Sequence, residues 1–276
     1  MLRLNVPIER RTIEVGGAQV SVLLAGEPSA APPVLAVHGF GSSAQYSWQT
    51  TGHLIGLARA GRYVIAPDLL GHGLSAKPTD PADYTLDGLA ALTAAALFEF
   101  AERGPADLLG YSLGARICWQ LLTGGPGSTD ARWRRAVLGG YDGRPLFEAV
   151  DEPALRRSLG ESNYSTGDAG DAKSVASSQL SHATQRIADI ARAVPGNSLP
   201  ALLAVVRGLS GTQPSSGTPA VPVLLVAGTD DPIATGAARV AAAVPSAEFL
   251  PVPGRDHISA VPASVFRKGA VEFLGR

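Results

Sequence analysis

The sequence predicts a doubly wound, mostly parallel α/β sheet that opens with an antiparallel hairpin and carries a helical insertion. Three observations predict it. Short apolar runs recur along the 276 residues and alternate with longer helical patterns, as in a parallel sheet covered on both faces. Most of these runs end at glycine or proline, as Val34-Leu35-Ala36-Val37 does before His38-Gly39. One long interval, 143–220, holds no strand-like run at all.

The elements follow in order. Residues 12–15 and 20–24 flank Gly16-Gly17 and read as a hairpin. Residues 34–37 and 63–66 are short buried strands. Residues 86–103, rich in alanine and leucine, read as a helix stopped by Gly104-Pro105. Asp107-Leu108-Leu109 is a strand, and the helical pattern 113–122 begins directly after Ser112. Ala136-Val137-Leu138 is the next strand. The Arg132-Trp133-Arg134-Arg135 cluster before it reads as a solvated connection. A strandless stretch as long as 143–220 is too long for plain loop. Residues 155–170 read as polar loop around Glu161 and Tyr164, while 175–194 and 199–209 read as helices. The Ser-, Gly-, Thr- and Pro-rich stretch 210–219 returns the chain to the sheet. Strands at 223–226 and 247–252 then alternate with helices at 235–244 and 263–274. The expected core is therefore 1–142 with 221–276, and 143–220 is a helical insertion.

Composition narrows the function classes. Apolar residues make up 45% and charged residues 17%, with net charge −1. That suits a packed domain rather than a disordered one, and nucleic-acid binding would need a basic face. The one cysteine, Cys118, lies in an apolar helical pattern and reads as a buried, inert thiol. No apolar signal region or membrane-length run is present, so a soluble, cytoplasmic protein without a membrane partner is expected.

The chemistry gathers at strand ends. Gly110-Tyr111-Ser112-Leu113-Gly114 places a serine between an incoming strand and an outgoing helix. The two glycines remove side chains that would clash in so tight an elbow. A serine hydroxyl is a poor nucleophile and needs a base with an orienting carboxylate. Among five histidines, His257 is the best base, since its loop follows the last strand. The acid belongs after the strand 223–226, in Gly228-Thr229-Asp230-Asp231-Pro232. Asp231 is the first choice, Asp230 the alternative and Asp142 a third. Amides of Phe40 and Leu113 are the natural oxyanion donors, and His38 reads as structural. Tyr111, Tyr46 and Trp48 are candidates for a pocket wall, and a core role is an equal reading for Tyr46 and Trp48, aromatics on a helix start. Arg116 and Arg255 could bind a carboxylate, though a surface role is favoured for each. No metal or organic cofactor is called for, and the partner is a small-molecule substrate.

One rival is a dinucleotide site. Gly39-Phe40-Gly41-Ser42-Ser43-Ala44 follows a strand, and Asp68 ends the next. The residues after Ala44 begin a helix poorly, and the elbow, acid and histidine would be left unexplained.

Taken together, His38-Gly39-Phe40-Gly41, the 68–75 loop, the serine elbow, 228–232 and 254–257 resemble the α/β-hydrolase superfamily. The resemblance spans most of the chain and implies that 143–220 caps an active site, with 68–75 a structural turn near the pocket. It also implies aspartate, not serine, at the elbow of epoxide hydrolases and dehalogenases. Ester hydrolysis is the expected reaction. Lactone or carbon–carbon bond hydrolysis, and perhydrolysis, use the same groups. A non-catalytic binding protein on the same scaffold is the alternative of another class.

Overall fold

The computed structural model describes residues 6–101, 104–124, 133–161 and 175–276. Eight strands form one sheet: β1 (Ile8–Val15), β2 (Ala18–Ala25), β3 (Val34–Val37), β4 (Val64–Pro67), β5 (Ala106–Tyr111), β6 (Trp133–Gly139), β7 (Val223–Gly228) and β8 (Ala247–Val252). Their spatial order is β1-β2-β4-β3-β5-β6-β7-β8. The β1–β2 and β2–β4 pairs are antiparallel, and every later pair is parallel.

The apolar runs are continuous because both faces of the sheet are covered. Val34 and Ala36 enter one hydrophobic cluster while Leu35 and Val37 enter the other, and Val223–Val226 divides in the same alternating way. One face packs against α1 (His53–Arg59) and α8 (Ser264–Gly275) through Leu54, Leu57, Phe266 and Phe273. The other packs against α2 (Leu86–Phe98) and α3 (Leu113–Thr123) through Leu89, Leu97, Ile117 and Leu121. Each of these fully buried side chains contributes about 1.5–3 kcal/mol over exposure. No described helix is long and apolar enough to cross a membrane.

Several expectations change. Arg134 and Arg135 lie within β6 rather than in a solvated connection. Arg134 Nη2 bonds the fully buried Asp107 carboxylate on neighbouring β5 at 2.6 Å, and Arg62 pairs with the same carboxylate. Charge neutralisation lets this polar group sit at the start of a core strand. Arg132 lies outside the described residues, as do 102–103 beyond the shortened α2. A π-helical turn, Gln45–Gln49, and α1 occupy the β3–β4 connection.

Between β6 and β7 lie α4 (Glu152–Ser158), α5 (Val175–Ala193) and α6 (Leu199–Leu209), and between β7 and β8 lies α7 (Ala237–Ala243). The helix α4 replaces the start of the expected polar loop. Asp151 caps it by accepting the Ala154 amide, and Glu152 pairs with Arg156 one turn on. Residues 162–170 of that expected loop lie outside the described residues. Leu155, Leu159, Ala188, Ala191, Leu202 and Val206 form a small core of the insertion. Val205 and Leu209 of α6 turn instead into the main core.

Candidate active site

The site is assembled at the carboxyl ends of β3, β5, β7 and β8. Ser112 sits between β5 and α3 with φ 53° and ψ −114°, a left-handed φ rare for a residue with a side chain. Such strain persists only where its surroundings enforce it. Here the Ser112 amide bonds the Gly139 carbonyl at 2.8 Å, and its own carbonyl accepts the Arg116 amide at 3.0 Å. A side chain at Gly114 would collide with the Val37 and His38 carbonyls, so α3 approaches the end of β3 only because Gly114 has none.

His257 and Asp231 complete a relay. The His257 Nδ1–H donates to Asp231 Oδ2 at 2.8 Å, which leaves Nε2 to accept the Ser112 hydroxyl at 2.9 Å. Asp231 Oδ1 is held by the Ile233 and Ala234 amides at 2.8 and 3.1 Å. Tyr111 donates its hydroxyl to the His257 carbonyl, and its ring lies 5.3 Å from the imidazole. Asp230 is exposed, and its carboxylate accepts the Thr229 hydroxyl at 3.0 Å. Asp142 pairs with Arg144 at 2.5 Å and does not bond the imidazole. Of the three candidate acids, the structure joins Asp231 to His257. Burial pushes the imidazole pKa down, but the charge and hydrogen bond of Asp231, with Asp142 and Asp256 nearby, raise it above its ordinary 6.5.

The loop after β3 lies against the elbow. A Cβ at Gly39 would stand 3.3 Å from that of Ser112. Phe40 and Leu113 therefore flank the serine, and among the described residues neither amide finds a protein acceptor. His38 is fully buried, bonds Gly39 O and Leu69 N, and has a lowered pKa from burial. Its place is structural. The Asp68 carboxylate is buried and held by the Ala44 and Leu74 amides at 2.8 and 3.0 Å. It is not free to bind a ribose, which removes the support for a dinucleotide site.

A cavity of about 420 Å³ opens over the serine, within the range of small-molecule sites. Tyr111 and Tyr46 line it, as expected. Trp48 does not. It is fully buried against His53 in the core, because the π-helical turn points Tyr46 and Trp48 in different directions. Arg116 is buried and not at the surface; it bonds the Arg144 and Thr212 carbonyls at 3.0 and 2.8 Å and forms part of the wall. Arg255 is exposed, as expected.

The far wall comes from the insertion. Phe147, Ile187 and Ile190 line it. Phe147 has φ 64°, and its ring meets that of Phe40 edge-on at 5.3 Å. Sequence reasoning missed these residues. The four-residue spacing of Ala183, Ile187 and Ala191 marks an apolar face on α5 but not what it covers. Arg186 pairs with Asp256, beside the candidate base, and this link too was missed.

The sequence profile of the alpha/beta hydrolase family matches residues 34–266. The chain belongs to the alpha/beta hydrolase family. A stretch of 118 residues is 38% identical to epoxide hydrolase A of Mycobacterium tuberculosis, covering 42% of this chain and 34% of that protein. The matched stretch is thus about a third of that relative's length. Among solved structures, the enol-lactonase of Burkholderia xenovorans LB400 superposes with TM-score 0.73 at 20% identity, over 96% of this chain and all of that one. Epoxide hydrolase VrEH1 of Vigna radiata gives 0.70 at 20% identity, over 97% of both chains. In this alpha/beta hydrolase the serine elbow, acid and histidine all fall within the matched span.

Proposed function

We propose that this alpha/beta hydrolase is a serine hydrolase that cleaves a carboxylic ester, or a related acyl bond, of a mainly apolar small molecule. The observation that carries the reading is the Asp231–His257–Ser112 relay at the floor of the cavity, with the serine on a strained elbow. His257 takes the hydroxyl proton as Ser112 Oγ attacks the carbonyl carbon. Asp231 stabilises the imidazolium. The amides of Phe40 and Leu113 hold the oxyanion. Collapse of the tetrahedral intermediate expels the leaving group, which takes its proton from His257. Water activated by the same histidine then attacks the acyl-enzyme, and Ser112 is released. The chain supplies every group this scheme needs. The insertion 143–220 acts as the cap that shapes the substrate pocket, a role supported by Phe147, Ile187 and Ile190 in the wall.

Serine at the elbow argues against epoxide opening, the activity in the name of one relative. An aspartate attacking an epoxide forms an ester that water can cleave. A serine would form an ether, which water at this site would not.

The test is labelling with a fluorophosphonate probe, together with turnover of p-nitrophenyl esters of graded chain length. Wild type is expected to take the probe at Ser112 and hydrolyse the esters, and Ser112→Ala to do neither. A wild-type chain that resists the probe while binding apolar ligands would favour a non-catalytic binding protein.

A further inference from the structure

Asn197, in the turn between α5 and α6, joins three separate parts of the molecule. Its Nδ2 donates to the Gly41 carbonyl at 2.8 Å and to the Ala191 carbonyl at 3.0 Å. Its Oδ1 accepts the Gly73 amide at 2.8 Å. Gly41 belongs to the loop that carries Phe40, Ala191 to the last turn of α5, and Gly73 to the 68–75 loop. The amide side chain thus uses both donors and its acceptor, which a smaller or purely accepting side chain cannot do.

The surroundings show how close this docking is. Gly41 has φ +70°, and a Cβ there would stand 2.9 Å from that of Ala191. A Cβ at Gly196 would press on the Gly73 carbonyl. The backbones therefore approach as nearly as glycine allows. The Ser42 amide closes the turn onto the Gly39 carbonyl at 3.2 Å. Phe40 is inside that turn, so holding the Gly41 carbonyl restricts the orientation of the whole turn.

We propose that Asn197 is a positioning residue, through which the insertion fixes the loop bearing the Phe40 oxyanion donor. The inference rests on the serine-hydrolase reading above. Asn197 touches neither the serine nor the cavity, so it acts only through the loop. An oxyanion donor contributes through its exact placement at the oxygen of the transition state, and removing one outright costs about 10²–10³ in kcat. Loosening its tether should cost less, about 10–100-fold in kcat, with KM changed by less than about threefold.

The experiment compares Asn197→Ala and Asn197→Asp with wild type on the p-nitrophenyl ester that wild type turns over best. The aspartate variant is nearly isosteric; it keeps the acceptor for Gly73 and replaces the donor facing Gly41. It covers the case in which the alanine variant fails to fold. An alkylboronic acid supplies the second readout. Serine Oγ adds to boron, His257 takes the proton, and a boron-bound hydroxyl occupies the oxyanion position. Boronate affinity should fall in parallel with kcat in both variants, at a temperature well below either Tm. Unchanged kcat and boronate affinity, or a loss that tracks Tm with boronate affinity intact, would overturn the inference. If wild type neither hydrolyses the ester nor takes the fluorophosphonate, the serine-hydrolase reading falls and this inference falls with it. Wild-type activity with unaffected Asn197 variants removes only the positioning role.

Discussion

Replacing Asp231 by asparagine tests the relay at its most informative point. The Asp231 Oδ1 position accepts two backbone amides, from Ile233 and Ala234. An asparagine must keep its carbonyl oxygen there, because an NH2 group facing two N–H donors leaves all of them unpaired. Its NH2 therefore takes the Oδ2 position, 2.8 Å from His257 Nδ1. The imidazole must then accept at Nδ1 and carry its proton on Nε2, which faces Ser112 at 2.9 Å. In that tautomer it cannot take the serine proton. The same change in the serine-protease template lowers kcat about 10⁴-fold, so a loss of about 10³–10⁴ is expected here, or about 4–5.5 kcal/mol of barrier. Asp230→Asn, at an exposed carboxylate, should stay within about threefold of wild type.

The pH profile provides a second reading of the same variant. The base must be neutral, and its pKa is raised, so wild-type kcat/KM should rise with pH through a value above 6.5. Removing the Asp231 charge removes the leading upward influence, so the residual acid limb should move to lower pH. The assay is kcat/KM on a p-nitrophenyl ester between pH 5 and 9. A loss in Asp231→Asn of less than tenfold, or a larger loss in Asp230→Asn, would refute the reasoning.

Two further predictions concern stability. Asp107→Ala leaves Arg62 and Arg134 facing each other at the start of β5 without their carboxylate. A cost of about 3–5 kcal/mol is expected from urea unfolding, and a cost under 1 kcal/mol would mean that the arginines relax to solvent. His53 is buried with its pKa depressed to about 3, by burial and then by Arg267. A depressed histidine leaves stability intact above the unfolded value of 6.5 and erodes it as pH falls below that value, because the unfolded chain takes the proton first. Between pH 7 and 5 this amounts to about 2 kcal/mol. His53→Gln should therefore lose that much less stability than wild type over the interval, and equal losses would count against the argument.

How much was legible in the sequence depended on how local the cause was. The central strands could be read because burial on both faces makes β3, β4 and β5 almost continuously apolar. The helix 199–209 matched to the residue, since its apolar periodicity and flanking Ser198 and Gly211 are local signals. The helix α4 was missed because its start depends on an Asp151 cap and a Glu152–Arg156 pair within a polar stretch, which periodicity does not register. Trp48 illustrates a choice that the sequence left open. An aromatic two residues from Tyr46 carries no mark of which one faces a cavity, and the π-helical turn decided it.

The candidate site divides along the same line. The sequence by itself determined that a serine sits on an elbow after one strand, an aspartate pair after another and a histidine after the last. Turn chemistry and strand ends are short-range, and a parallel sheet gathers its strand ends on one edge. Only the tertiary structure decided which aspartate reaches the histidine. That depends on an Oδ1 held by two amides and an Oδ2 aimed across 2.8 Å, a difference between neighbours that no pattern encodes. The tertiary structure alone also placed Phe147 and Ile187 in the cavity wall over the serine and Asn197 against the Gly41 carbonyl. These residues are 35 to 85 positions from Ser112, and packing against a distant segment leaves no periodic trace in the segment it covers.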